Sequence, residues 1–158
     1  MKRHPAFHAL SRDHHDGLLL AIRLQQGEQA LPRLWSHDPV WQAAYVVRFF
    51  GEQLSEHFRR EEEDLFPAAA GKSPPEFRRL VHQLTEDHAW MRATAAELGT
   101  TDPSRLKEIL RAFGRRLEEH IRTEERKLFP LCERWFTPSE LARVAGSTTS
   151  TPSQEDQT

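Results

Sequence analysis

Two segments of this 158-residue chain carry the same potential chemistry. Residues 57–67 read HFRREEEDLFP and residues 120–130 read HIRTEERKLFP. Each contains His, three residues, Glu-Glu, two residues and Leu-Phe-Pro, which sets His57 with Glu61, and His120 with Glu124, at i and i+4. On an α-helix that spacing puts both side chains on one face, with Cβ atoms about 5–6 Å apart. An imidazole nitrogen beside a carboxylate oxygen suits a borderline transition metal such as iron, manganese or zinc. Two such pairs on two helices could hold two metal ions between them.

Two further stretches supply matching donors. SRDHHDGLLLAIRL carries Asp13-His14-His15, and TEDHAWMRATAAEL carries Asp87-His88. The chain therefore reads as two halves, each an Asp-His helix followed by an HxxxEE-LFP helix. The spacing differs between the halves, so the repeat is one of arrangement and not of strict period. Any one H-x3-E arises often by chance. The duplication, the placement of each pair within an apolar stripe and the two Asp-His partners together make the metal reading much stronger than any part. Buried carboxylates without a metal would cost several kcal/mol each or take up protons.

The first-helix donor is His14 or His15. His14 continues a stripe of Phe7, Leu10 and Leu18 and is preferred; His15 also fits an inward face with Leu18 and Ile22. Asp13 and Asp87 adjoin donors but point about 100° away around the helix, and are expected to be solvated or paired at i, i+4. Glu62, Glu63, Glu118, Glu119 and Glu125 are read as solvated or as lying behind the donors. Leu65-Phe66-Pro67 and Leu128-Phe129-Pro130 are read as helix ends that close the bundle, and Tyr45 and Trp90 as packing.

The elements that must position these donors are helices. Asp38-Pro39, Ser73-Pro74, Asp102-Pro103 and Thr137-Pro138 each look like an N-cap followed by proline in the first turn. Thr137-Pro-Ser-Glu140 also reads as a capping box. Four long helices follow, over roughly 6–30, 39–65, 75–98 and 103–129, with a short fifth over roughly 138–145. Apolar positions repeat at helical spacing. In the second helix the stripe is Val40, Ala43, Ala44, Val47, Phe50, Leu54, His57, Phe58, Glu61 and Leu65. In the fourth it is Leu106, Leu110, Phe113, Leu117, His120, Ile121, Glu124 and Leu128. Short proline-rich connections suggest an all-α, antiparallel up-down-up-down four-helix bundle over residues 1–145, with a disordered polar tail over 146–158.

Composition narrows the partners. A net charge of −2 suggests neither nucleic acid nor an anionic membrane as a partner. No apolar run approaches the ~18 residues of a membrane-spanning helix. The single cysteine, Cys132, permits no intrachain disulfide and fits a reducing cytoplasm.

At these residues the sequence resembles the hemerythrin-like family, the HHE cation-binding domain, over roughly residues 6–130. The resemblance rests on DHH (13–15), HFRREE (57–62), DH (87–88) and HIRTEE (120–125). It implies a non-haem di-iron centre of two iron ions held by His14 or His15, His57, Glu61, His88, His120 and Glu124, with manganese or zinc as alternative metals. It also implies a small-molecule ligand such as oxygen, peroxide or nitric oxide, or a role in iron handling, with a redox or effector protein as a further partner. The sequence departs from the oxygen-carrying members. Those have a second histidine one turn from the first on the third helix, where this chain has Leu84 and Arg92 on either side of His88. Glu124 stands at i+4, where the carriers place an aspartate at i+5. The resemblance is therefore to members with four histidines and two glutamates.

Overall fold

The computed structural model describes residues 2–27 and 35–146. Among these residues every element of secondary structure is a helix. A 3-10 turn, Pro5–Phe7, leads into α1 (His8–Gln26), which stops at Gly27. The Gly27 φ of 56° is open to glycine without steric cost, and its N–H closes the helix onto the Arg23 carbonyl. Helix α2 spans 39–70, α3 is Pro75–Glu97, α4 spans 103–135 and α5 is Pro138–Gly146. The last residues expected in the first helix and nearly all of the polar tail lie outside the described residues.

The caps follow the sequence at three of four sites. Asp38 and Asp102 accept from Val40 N–H and Ser104 N–H, both at 3.0 Å. Thr137 and Glu140 exchange both arms of a capping box, at 2.9 and 3.2 Å. At the fourth, the helix begins one residue later than Ser73 suggests, with Pro74 as the cap residue and no side-chain hydrogen bond.

Helices α2 and α4 do not end at Leu-Phe-Pro. They continue to Ala70 and Trp135 because a π-helical turn precedes each proline, at Glu61–Leu65 and Glu124–Leu128. In these turns the N–H of Phe66 reaches the Glu61 carbonyl, and that of Phe129 reaches the Glu124 carbonyl. The wider turn gives the chain room to pass a residue that has no N–H and whose ring would crowd a regular helix.

A third π turn, Phe50–Leu54, shifts the phase of α2. The stripe traced back from His57 as a regular helix predicts Val40, Ala43, Ala44 and Val47 inside. Of these Ala43 is buried, with Gln42, Val46 and Phe49 beside it, and Val40, Ala44 and Val47 are exposed. One additional residue in the turn moves the inward face by one position. The stripe expected in α4 is buried throughout.

Helices α1 and α4 pack most closely. A Cβ on Gly114 would fall 2.8 Å from the Ala21 carbonyl oxygen, and one on Gly17 would fall 2.9 Å from Ile121 Cδ1. Gly17 faces Ile121, Gly114 faces Ala21 and Leu24, and Ser11 bonds Glu125, so these two helices run in opposite senses. The apolar core has two parts. One gathers Leu20, Leu24, Phe49, Phe58, Phe113 and Leu117; the other gathers Phe7, Leu10, Phe66, Phe77, Phe129 and Cys132. The polar cluster lies in sequence, on each long helix, between residues of the first part and residues of the second.

Candidate metal centre

All four long helices send a donor into one buried layer: His14 from α1, His57 and Glu61 from α2, His88 from α3, His120 and Glu124 from α4. Glu61, Glu124 and His88 are 0 % exposed, which ordinary solvation cannot account for. The donor atoms fall into two sets. His14, His57, Glu61 and Glu124 form one, and Glu61, His88 and His120 the other; within each set the atoms lie within 4.8 Å of one another.

Glu61 belongs to both sets. Its Oε1 abuts His57 Nε2 and lies 3.8 Å from His14 Nε2. Its Oε2 lies 3.0 Å from His88 Nε2 and 3.7 Å from His120 Nε2. Glu124 also reaches across, with Oε1 3.6 Å from His14 Nε2 and 2.8 Å from His120 Nε2. His15 is exposed and stands outside the cluster, which corrects its candidacy: one residue along a helix is a rotation of about 100°, and His14 takes the inward position. His82 is likewise at the surface, beside Glu86 at 3.1 Å.

With every Nε2 turned inward, each Nδ1 faces outward, toward a carboxylate on a different helix. His14 Nδ1 is 2.7 Å from Glu125, His57 Nδ1 is 2.9 Å from Asp13, and His120 Nδ1 is 3.1 Å from Asp87. His88 Nδ1 is 3.4 Å from Glu62, an ion-pair distance without a hydrogen bond. Asp13 and Asp87 are therefore not merely solvated or paired within their own helices, as the sequence suggests. They do point away from their neighbours His14 and His88, but toward the imidazole of the next helix. The signal in the sequence is that each is the chain neighbour of a donor, as are Glu62 and Glu125.

The electrostatics are those of a dense, compensated cluster. Burial pulls the His57 imidazole down, but the Glu61 and Asp13 carboxylates outweigh it and hold it at about 9. Burial is likewise outweighed at His14, by Glu124, Glu125 and Glu61, and at His120, by Glu124, Asp87 and Glu61; both sit well above the usual histidine range. Burial raises the Glu61 carboxyl, yet the surrounding imidazoles, His57 foremost, hold it well below the ordinary range. Glu124 is lowered less simply: burial and the Glu61 charge raise it, and His120 and His14 bring it down.

These residues fit a metal by their own unmet valences. His14 Nε2, His57 Nε2, Glu61 Oε1 and both Glu124 carboxylate oxygens are buried without a hydrogen-bond partner. Native interiors rarely leave so many adjacent polar atoms unpaired, and these are all electron-pair donors aimed at common points.

Aromatic rings close the layer. Phe58 stacks on His88 at 3.8 Å between centroids, and Phe129 stacks on His14 at 5.6 Å. Phe66 leans on His88 at 5.3 Å. The phenylalanines of both Leu-Phe-Pro segments thus wall the cluster as well as closing the core. Trp90 packs against the first apolar core, as expected, and Tyr45 stacks with Trp41 and Phe49, away from the donors. Cys132 is buried and unbonded, and burial pushes its thiol far up. No helix among the described residues is long and apolar enough to cross a membrane.

Comparison with curated proteins and with solved structures gives no match. The sequence model of the hemerythrin HHE cation-binding domain matches residues 6–133, a span that contains every donor of the cluster, and the chain belongs to that family.

Proposed function

We propose that this protein is a non-haem di-iron protein that binds or reacts with a small oxidant (oxygen, peroxide or nitric oxide), or handles iron, at the level of the His/Glu layer. The observation that carries this reading is the pair of buried donor sets sharing Glu61, with its unpaired atoms turned inward. His14 and His57 would hold one ion and His88 and His120 the other. Glu61, which lies in both sets, and Glu124 would supply carboxylate oxygens to them. Two irons so held supply Lewis acidity and reversible one-electron redox chemistry. The chain's own part is to present four neutral imidazoles through Nε2, to offset the ionic charge with two carboxylates, and to keep bulk water out with Phe58, Phe66 and Phe129. Nothing at His88 ± one turn adds a further donor: Leu84 is apolar and buried, and Arg92 is a cation engaged by Glu62. A metal centre held by four histidines and two carboxylates would have fewer nitrogen donors than in the oxygen carriers, which favours reaction or sensing of a small ligand over oxygen carriage. This reading takes the helices as a complete up-down-up-down bundle and the cytoplasm as the setting, with iron or an electron delivered by a separate protein.

A second reading draws on the way donors come from all four long helices. A metal would then tie the helices together, and its binding energy would be folding energy, as in a metal-dependent sensor module.

Elemental analysis with an optical spectrum on freshly purified protein tests the proposal, run on wild type and on Glu61→Ala/Glu124→Ala. Iron in both donor sets and a near-ultraviolet ferric band, both lost in the double variant, support it. A folded wild type that takes up no metal after anaerobic ferrous reconstitution overturns it. For the sensor reading, chelation should collapse helicity; a bundle that keeps its helicity after metal removal argues against it.

A further inference from the structure

The four carboxylates behind the imidazoles form a closed circuit. Asp13 on α1 meets His57 on α2, Glu62 on α2 meets His88 on α3, Asp87 on α3 meets His120 on α4, and Glu125 on α4 meets His14 on α1. Each helix gives a carboxylate to the next, and each carboxylate is the chain neighbour of a donor on its own helix. Every one is also backed by an arginine: Asp13 by Arg60 at 3.5 Å, Asp87 by Arg116 at 3.2 Å, Glu125 by Arg3 at 3.3 Å, and Glu62 by a two-pronged contact from Arg92. Ser11 adds a hydrogen bond to Glu125 at 2.7 Å.

We infer that Asp13, Asp87 and Glu125 are positioning residues for the metal centre, each fixing one imidazole by a hydrogen bond at its Nδ1, that Glu62 faces His88 Nδ1 only as an ion-pair partner, and that all four are held off the metal by their arginines. The inference rests on the metal-binding reading above. The chemistry is direct. A neutral imidazole has one N–H and one lone pair, and a carboxylate, which only accepts, compels the N–H onto Nδ1. The lone pair is then on Nε2, facing the centre. The arginine serves a second purpose. Asp13 and Asp87 are one residue from donors, and a carboxylate free to turn could compete for the ion. A guanidinium paired with the carboxylate holds it beside its imidazole.

The circuit divides between the two donor sets. Asp13 and Glu125 serve His57 and His14; Asp87 and Glu62 serve His120 and His88. It is also uneven. Three contacts are hydrogen bonds of 2.7–3.1 Å, whereas Glu62 stands 3.4 Å from His88, which is held mainly by Phe58 stacked against its ring. The His88/His120 set consequently depends on Asp87 more than the His14/His57 set depends on either of its carboxylates.

Cobalt(II) titration of the full chain tests this, with wild type, Asp13→Ala, Asp87→Ala and Asp87→Asn. Absorbance gives affinity at each set, and proton NMR gives the shifted, exchangeable Nδ1–H signals of cobalt-bound imidazoles. Wild type should fill both sets. Each alanine variant should lose about 10–100-fold in affinity at one set only, a different set for the two variants, and its own histidine's N–H should exchange with water. Asp87→Asn keeps an acceptor oxygen and should recover most of the loss. Far-ultraviolet circular dichroism without metal separates misfolding from these effects, and Asp13→Ala carries the test if Asp87→Ala unfolds. Wild type filling both sets while the alanine variants match it in affinity and N–H protection overturns the circuit alone. Wild type taking no cobalt overturns the metal reading, and the circuit with it.

Discussion

Asp87 Oδ2 lies 3.1 Å from Nδ1 of His120, on the facing helix, while its chain neighbour His88 turns into the buried layer. One residue of separation lets a single helix supply a donor and support a donor on its neighbour. The Asp-His and Glu-Glu doublets of the sequence are two halves of that arrangement.

The division between His14 and His15 is directly measurable. His14→Ala should empty or greatly weaken the set it belongs to, because its Nε2 is one of the unpaired inward atoms. His15→Ala should leave metal content unchanged, since His15 is at the surface. Metal analysis of the two purified variants decides it; equal loss in both contradicts the placement.

The metal-free protein should lose stability as pH rises above neutrality. His57 binds its proton more tightly folded than unfolded, near 9 against 6.5. The stabilisation is fully present below the unfolded value and disappears as pH rises through the folded one. His57 alone corresponds to a contribution on the order of 3 kcal/mol. Urea midpoints of chelator-treated protein should fall between pH 6.5 and 9. A flat or rising midpoint across that window contradicts the charged pairing. Metal uptake should show the opposite trend, strengthening as pH rises, because the ion must displace those protons.

Helix packing makes a paired prediction. Gly114→Ala would press a methyl onto the Ala21 carbonyl oxygen and Leu24, and should destabilise by about 1–3 kcal/mol. Gly51→Ala meets nothing within 4 Å and should stabilise by roughly 0.4–1 kcal/mol through the unfolded chain. Urea denaturation of both variants checks the contrast. If both shift the same way, α1 and α4 are not in close contact at Gly114.

The aromatic wall can be opened without touching a donor. Phe58→Ala removes a fully buried ring stacked on His88, and should cost about 3–5 kcal/mol of stability. It should also weaken the His88/His120 set more than the other, read by cobalt titration below the melting range. Equal weakening of both sets would mean that Phe58 acts only through global stability.

Much of this was legible in the chain. The i, i+4 pairs, the Asp-His partners, three of the four N-caps and the buried stripe of α4 follow from local spacing, and local spacing is what a helix preserves. Three things were hidden. Contacts such as Asp13 with His57 join residues far apart in the chain, and no periodicity within one helix exposes them. The inward face of α2 before Phe50 was displaced by a π turn, which a fixed 3.6-residue period cannot represent. The wall residues Phe66 and Phe129 were hidden for the same reason, each sitting five residues past a donor glutamate.

That last spacing has a consequence for what the chain tolerates. In a regular helix a residue five positions on lies roughly 140° around the axis, so Phe66 and Phe129 would look away from Glu61 and Glu124. The π turns absorb the surplus residue and swing both rings back over the donors. Each donor helix therefore has a fixed count between its glutamate and its proline. Deleting a single residue there would leave the phenylalanine four positions past its glutamate, still on the donor face, but would return the proline to a regular turn that its ring crowds. Length, as much as residue identity, is what these two short segments hold constant.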